Sequence, residues 1–160
     1  MEKERVFERG LEVMEENFGH VVEMSIASAA DGEVAVRDVN AYYVDGKVYV
    51  LSKTTNTFMR HISKCQNVGL CRGSHNMQGV ARSLGHPLDK ANADLRKQLK
   101  RQFSLNYDEY VSENNPDMRI VEITLTNAQT FTRFHCYNID FVNKWADRDH
   151  TAPLFAYKPL

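Results

Sequence analysis

Residues 52–57 read Ser-Lys-Thr-Thr-Asn-Thr, a run made only of hydroxyl, ammonium and carboxamide side chains. They follow an apolar, β-branched run ending at Leu51 and precede Phe-Met-Arg-His-Ile from Phe58, so the stretch joins a strand to the start of a helix. Backbone N–H groups at such a junction lack intrahelical acceptors, and Ser52, Thr54, Thr55 and Thr57 add hydroxyl donors while Lys53 and Arg60 add charge. The chemistry that suits them is anion binding, and a phosphate fits. The same six residues also suit a solvated loop in which Asn56 or Thr55 caps the helix. Arg37, in a strand-like run with Val36 and Val39, is the second candidate: its guanidinium can fork onto phosphate or ring oxygens, or make a surface ion pair.

Other constellations carry less. Cys65, Cys71 and His75 fall within eleven residues, but the three cysteines include no C-x-x-C, so zinc spacing is absent. Cys65 and Cys71 read as buried thiols on apolar faces, and an odd cysteine count fits a reducing, cytoplasmic setting. No P-loop, dinucleotide fingerprint, H-E-x-x-H or G-x-S-x-G occurs.

The elements that position these residues follow from periodicity. Residues 2–18 form an amphipathic helix with Leu11, Met14 and Phe18 on one face. Three strands follow, 21–29, 33–44 and 47–51, joined by Asp31-Gly32 and Asp45-Gly46 hairpin turns. Residues 58–65 predict a short helix, 67–71 and roughly 77–86 two strands, and Pro87 opens a helix carrying Leu88, Ala91, Leu95, Leu99 and Phe103. A short helix at 107–111, strands at 119–125 and 130–137, and a Pro-containing tail complete the chain. Strand and helix do not alternate regularly, which excludes a doubly wound parallel sheet. The pattern predicts a mainly β (α+β) fold, a six-stranded antiparallel barrel with peripheral helices, as one domain over residues 1–160.

Composition agrees. The 160 residues are 42% hydrophobic and 26% charged, enough apolar content for a core without disulfide or metal. Twenty basic residues against twenty-one acidic ones leave a net charge of −1, which disfavours nucleic acid as the main partner. Lys90 to Arg101 is locally basic, with five basic residues and one acid, and reads as a solvated helix face. No apolar run is long enough for a membrane span, and a charged N-terminus reads as a protein that stays in the cytoplasm.

Over residues 18 to 86, the order V-R-D-V-N-A-Y-Y-V-D-G-K-V-Y-V-L-S-K-T-T-N-T-F-M-R-H-I-S-K-C-Q-N-V-G-L-C, followed by a strand ending at Gly85, resembles the flavin-binding split-barrel family typified by pyridoxamine 5′-phosphate oxidase. The resemblance implies a homodimer that binds FMN in two grooves between subunits and oxidises or reduces a small organic substrate. Arg37 would then contact the flavin, with Asp38, Val39 and Asn40 beside the isoalloxazine ring. Leu51, Ser52, Lys53, Asn56 and Thr57 would hold the phosphate and ribityl chain, and Gln78 would approach the flavin from a neighbouring strand. One departure stands out: Thr57 occupies a position where the family commonly has lysine, so Lys53, Arg60 or Lys64 would have to supply its charge. Trp145-Ala-Asp-Arg148-Asp-His150 invites comparison with the substrate-gripping tryptophan, arginine and histidine of the oxidase, at compressed spacing. A non-catalytic module that binds or senses flavin, deazaflavin or haem is the alternative reading.

Overall fold

The computed structural model describes residues 2–104 and 107–150; the tail read from the sequence lies, from residue 151 onward, outside them. Helix α1 (Glu2–Phe18) precedes a meander of β1 (Val22–Ala30), β2 (Glu33–Val44) and β3 (Lys47–Lys53). Both Asp-Gly turns take positive φ at each residue, 51° and 78° at Asp31-Gly32 and 49° and 77° at Asp45-Gly46, the backbone that matches hairpin twist. Next come α2 (Thr57–Ile62), β4 (Asn67–Arg72) and β5 (His75–Gly85). An excursion through α3 (Ala93–Phe103) and α4 (Tyr107–Tyr110) leads to β6 (Met118–Phe131), β7 (His135–Asp140) and β8 (Trp145–His150).

The predicted six-stranded antiparallel barrel is present. Its strands run in the order β3-β2-β1-β4-β5-β6, and it closes because β3 also pairs with β6, from Lys47↔Thr124 to Lys53↔Met118. Strands β7 and β8 extend the sheet from the far half of β6. A bulge at Thr126, between the pairs Gly79↔Leu125 and Gln78↔Asn127, lets one strand serve both parts. At Gly79 a Cβ would lie 2.6 Å from the Thr124 carbonyl oxygen, so this approach needs glycine.

Two apolar clusters divide the barrel wall. Inward side chains such as Ile26, Val48, Val50, Met77, Val121 and Ile123 fill the interior, and α1 adds Val13, Met14 and Phe18. Gly10 brings α1 so close to β7 that a Cβ would meet Ile139 at 3.1 Å. Outside, Tyr42, Tyr49 and Ile120 pack under Leu99, Phe103 and Tyr107 of the excursion. Arg96 fastens that excursion, donating to both Glu113 carboxylate oxygens at 2.6 and 2.8 Å and, with Tyr107, holding the carboxyl down to about 2. Glu122 ties the closing strands together. Its carboxylate accepts from Tyr49 Oη at 3.0 Å, Lys47 Nζ at 3.3 Å and Arg82 Nε at 3.0 Å. Burial opposes its ionisation, but those donors outweigh it and hold the carboxyl below its usual range.

The structure corrects several expectations. Residues 87–92 do not open α3. Asn92 Nδ2 donates to the Leu84 and His86 carbonyls and Asp89 accepts from His86 N–H, so local bonds hold a turn in which Leu88 is 54% exposed, a single 3-10 turn at Lys90–Asn92 follows, and the α-helix starts at Ala93. Helix α2 stops at Ile62 instead of reaching Cys65. The last two predicted strands are three: β6 runs through to Phe131, and Thr132 Oγ1 accepts from Phe134 and His135 N–H to form a turn where a continuous strand was expected. Cys71 is exposed and Cys65 half-buried; only Cys136 is buried. Among the described residues, no helix is long and apolar enough to cross a membrane.

Two outcomes follow. Glu122→Leu should destabilise the fold by about 1–3 kcal/mol, the penalty for a buried Tyr49 hydroxyl without a partner, because the half-exposed Lys47 and Arg82 can turn to water; urea denaturation measures it. His75 is buried between Phe18 and Phe131 with Nδ1 3.0 Å from Thr130 Oγ1, and burial pushes its pKa down. The unfolded imidazole therefore takes up a proton first as pH falls below about 6.5, and stability drops in that window. Melting curves at pH 7.5 and 5.5 should show the drop, and His75→Asn should shrink it.

Candidate functional site: the cleft between two parting strands

Strands β2 and β3 pair only from Val44↔Lys47 to Tyr42↔Tyr49. Beyond Tyr42, β2 runs back through Asn40 and Arg37 bonded to β1 alone, and β3 runs on through Leu51 and Lys53 bonded to β6 alone. The strand edges facing each other carry no ladder there, and a cleft opens at that end of the barrel. Alternation assigns the faces. Arg37 and Val39 continue the inward series of Ala41 and Tyr43, and Ser52 continues that of Val48 and Val50. Asp38, Asn40, Leu51 and Lys53 lie on the outward face.

Seven of the ten residues singled out in the sequence therefore stand on the two lips of one cleft, Arg37 to Asn40 on one and Leu51 to Lys53 on the other. Asn56 joins them: its Nδ2 donates to Ser52 Oγ at 3.0 Å. Asn56 holds the cap position of α2, but its carboxamide makes no capping bond because it is turned to Ser52. Ser52 is 4% exposed, and with its oxygen accepting from Asn56 its hydroxyl proton is left to donate. Thr57 opens α2 and is exposed. Gln78 does not reach this cleft within one chain. The register Val36–Ala27–Gly69–Gln78 puts it three strands away, roughly 14 Å at ordinary strand spacing, with its Oε1 accepting from Asn127 Nδ2.

The charges are distributed differently from the sequence expectation. Helix α2 has six residues, so its dipole adds little and side chains must supply the field. Arg60 donates to both oxygens of Glu33 at 3.1 and 3.2 Å and Lys64 pairs with Asp31, so two of the three cations expected to replace a lysine at Thr57 clamp α2 to the β1–β2 turn. Arg60 holds the Glu33 carboxyl below its usual range, and Lys64 does the same to Asp31. His61 completes the clamp from inside, fully buried with Nδ1 2.9 Å from Ser28 Oγ. Asp38 accepts from Ser25 Oγ at 2.7 Å. Among the described residues Arg37 and Lys53 carry no hydrogen bond or ion pair from their side chains. A residue missed in the sequence also stands here: Arg119 faces Ser52 across the β3–β6 ladder. Only the barrel's closure brings it there, and no local pattern signals it.

The other candidates disperse. Trp145, Arg148 and His150 lie on strand β8, so alternation sends Trp145 to one face and Arg148 and His150 to the other. Trp145 edges an open groove of about 270 Å³ with Asn76, Asn127, Gln129, Asn138 and Asp140, while His150 stacks beside His135 at 4.9 Å. Cys71 points outward and His75 inward, so they do not converge.

Solved structures share this fold. A Clostridium acetobutylicum protein related to general stress protein 26, of the pyridoxinephosphate oxidase family, matches at TM-score 0.55 and 13% identity over 89% of this chain and 99% of that one. An FAD-binding protein of Mesorhizobium loti matches at 0.56 and 17%, over 74% and 90%. The heme storage protein HutZ of Vibrio cholerae matches at 0.57 and 12%, over 74% and 88%. At these identities the likeness is one of fold: the chain shares the split-barrel fold of these proteins. No protein-family model and no curated protein matches the sequence.

Proposed function

We propose that this split barrel binds FMN in the cleft between β2 and β3 and works, as a homodimer, as a flavin-dependent oxidoreductase on a small organic substrate. The observation that carries the reading is the parting of β2 from β3, which lines one opening with unpaired strand edges, a guanidinium and a hydroxyl-rich loop. The donor set fits the cofactor: cations and hydroxyls suit a phosphate and ribityl chain, and strand-edge N–H and C=O groups suit the polar rim of a flat ring. Bound there, the flavin supplies hydride or electron transfer.

The chain's own residues bind and orient. Asp38, Val39 and Asn40 flank the ring on one lip and Leu51 on the other. Arg37 forks onto ring or phosphate oxygens, Ser52, Asn56 and Thr57 surround the phosphate, and Lys53, on the outward face, adds its charge from the solvent side. Neither lip carries a histidine or cysteine, and Asp38 is engaged by Ser25, so no side chain is assigned as an acid or base. That same lack favours the second reading, a module that binds flavin, deazaflavin or haem without turnover. The three free cysteines suit a reducing, cytoplasmic setting.

The homodimer draws support from the outer face of β1, β2, β4 and β5. Val34 and Val36 are 72% and 66% exposed there, beside Ala29 and Ala27 in register, and Gly69 and Val80 continue the patch. Large aliphatics over small neighbours make a flat apolar surface suited to a second copy of itself. Gln78 borders this face, beside Gly69 in register.

Adding FMN to purified protein should give flavin absorbance that elutes with it on gel filtration, and a colourless product would end the flavin reading. Arg37→Ala should weaken FMN binding by about tenfold or more with the melting temperature unchanged, since a charge-assisted bond contributes about 1.5–3 kcal/mol. A Val34→Asp, Val36→Lys double variant should run as a monomer by light scattering; an unchanged mass would remove this face from the interface.

A further inference from the structure

Arg119 presents an unusual electrostatic situation. It lies opposite Ser52 in the β3–β6 ladder, on the same inward face, which sets their Cβ atoms about 4.5–5.5 Å apart. The side chain is half-buried, and one terminal nitrogen, Nη1, donates to the carbonyls of Pro116 and Met118 at 2.7 Å each. Those bonds fix the guanidinium without neutralising it. Among the described residues no carboxylate lies within ion-pair distance, and Nε and Nη2 make no hydrogen bond. A guanidinium partly withdrawn from water with no counter-charge is a cation short of an anion.

The surroundings say which anion. The Thr54 N–H donates to the Asp117 carbonyl at 2.9 Å, which pins the hydroxyl loop against the segment that orients Arg119. Arg60 and Lys64, nearer in sequence, are consumed by Glu33 and Asp31. Lys53, the remaining sequence candidate, is exposed on the outward face, away from the Ser52 hydroxyl. Arg119 alone combines the inward face, partial burial and free donors beside Ser52.

We propose that Arg119 binds the terminal phosphomonoester of the cofactor and so replaces, from β6, the charge that Thr57 does not provide. The inference rests on the flavin reading above and adds the residue that separates FMN from riboflavin. Two free N–H donors of one planar guanidinium match two phosphate oxygens, and Ser52 offers its hydroxyl to the third. Nothing at this point contacts the ring, so a ligand without the phosphate gains nothing from Arg119.

The test is titration of the full chain with FMN and with riboflavin, followed by flavin fluorescence, for the parent, Arg119→Gln and Arg119→Lys. The parent should prefer FMN; Arg119→Gln should lose FMN affinity by about tenfold or more while riboflavin affinity stays level, and Arg119→Lys should recover part of the loss. Thermal melts of each variant show whether the Pro116 and Met118 contacts have been lost with the fold; if Arg119→Gln is unfolded, the folded Arg119→Lys variant carries the comparison through a smaller drop confined to FMN. Equal FMN affinity in parent and variant, an equal loss for riboflavin, or no preference for FMN in the parent would each overturn the proposal. If the parent binds neither flavin, the flavin reading falls, and calorimetry with inorganic phosphate then decides: heat lost in Arg119→Gln keeps an anion site at Arg119, and no heat in the parent removes it.

Discussion

Closure of the barrel by β3 on β6 is the constraint on which everything else hangs. Strand β3 is the last of the meander, and without β6 it would be an open sheet edge. Pairing along its whole length fixes which way each residue from Lys47 to Lys53 faces: Val48, Val50 and Ser52 inward, Tyr49 and Leu51 outward under the excursion. Glu122 sits at the middle of that ladder and draws donors from both flanking strands. One carboxylate therefore bonds β3, β5 and β6 across the line where the cylinder could most easily open.

The cleft is the complement of that closure. Strand β3 pairs with β6 along its whole length but with β2 only from Val44↔Lys47 to Tyr42↔Tyr49, and beyond that point the barrel's twist carries β2 and β3 apart. The cleft is thus lined partly by main-chain donors and acceptors without a ladder partner and only partly by side chains. Its floor is steadied from below: α2 is held to the β1–β2 turn by Arg60–Glu33 and Lys64–Asp31 at the surface and by His61–Ser28 within. The surface pairs are individually weak, so the buried contact and the apolar face of Phe58, Met59 and Ile62 bear most of the load.

The local grammar of the chain was legible, and seven of the ten residues singled out fall on the two facing strand edges. The Asp-Gly turns, the amphipathic first helix and the strand-to-helix junction at Ser52 all encode their geometry within a few residues. Three things were not. The start of α3 depended on Asn92 reaching back to Leu84 and His86, a contact that overrides the helix-opening preference of Pro87. The pairing partner of the Ser52 edge is far along the chain, so Arg119 could not be seen beside it. The charges of Arg60 and Lys64 looked available because the turn that consumes them precedes α2 by a whole hairpin. In each case the deciding contact was tertiary, and periodicity carries no trace of it.

Gly10 marks where α1 meets β7, and that meeting has a consequence for how the protein comes into being. Helix α1 is made before the strands it packs against, and it buries Val13, Met14 and Phe18 in a core completed by Tyr137, Ile139 and Ala146 of β7 and β8. During synthesis the helix must wait with its apolar stripe uncovered while the barrel assembles behind it. Its dense row of glutamates, Glu4, Glu8, Glu12 and Glu16, keeps that waiting segment charged on another face. Segments far apart in the chain then come together, so a nascent chain halted before β7 would leave the apolar stripe of α1 without the strands that cover it.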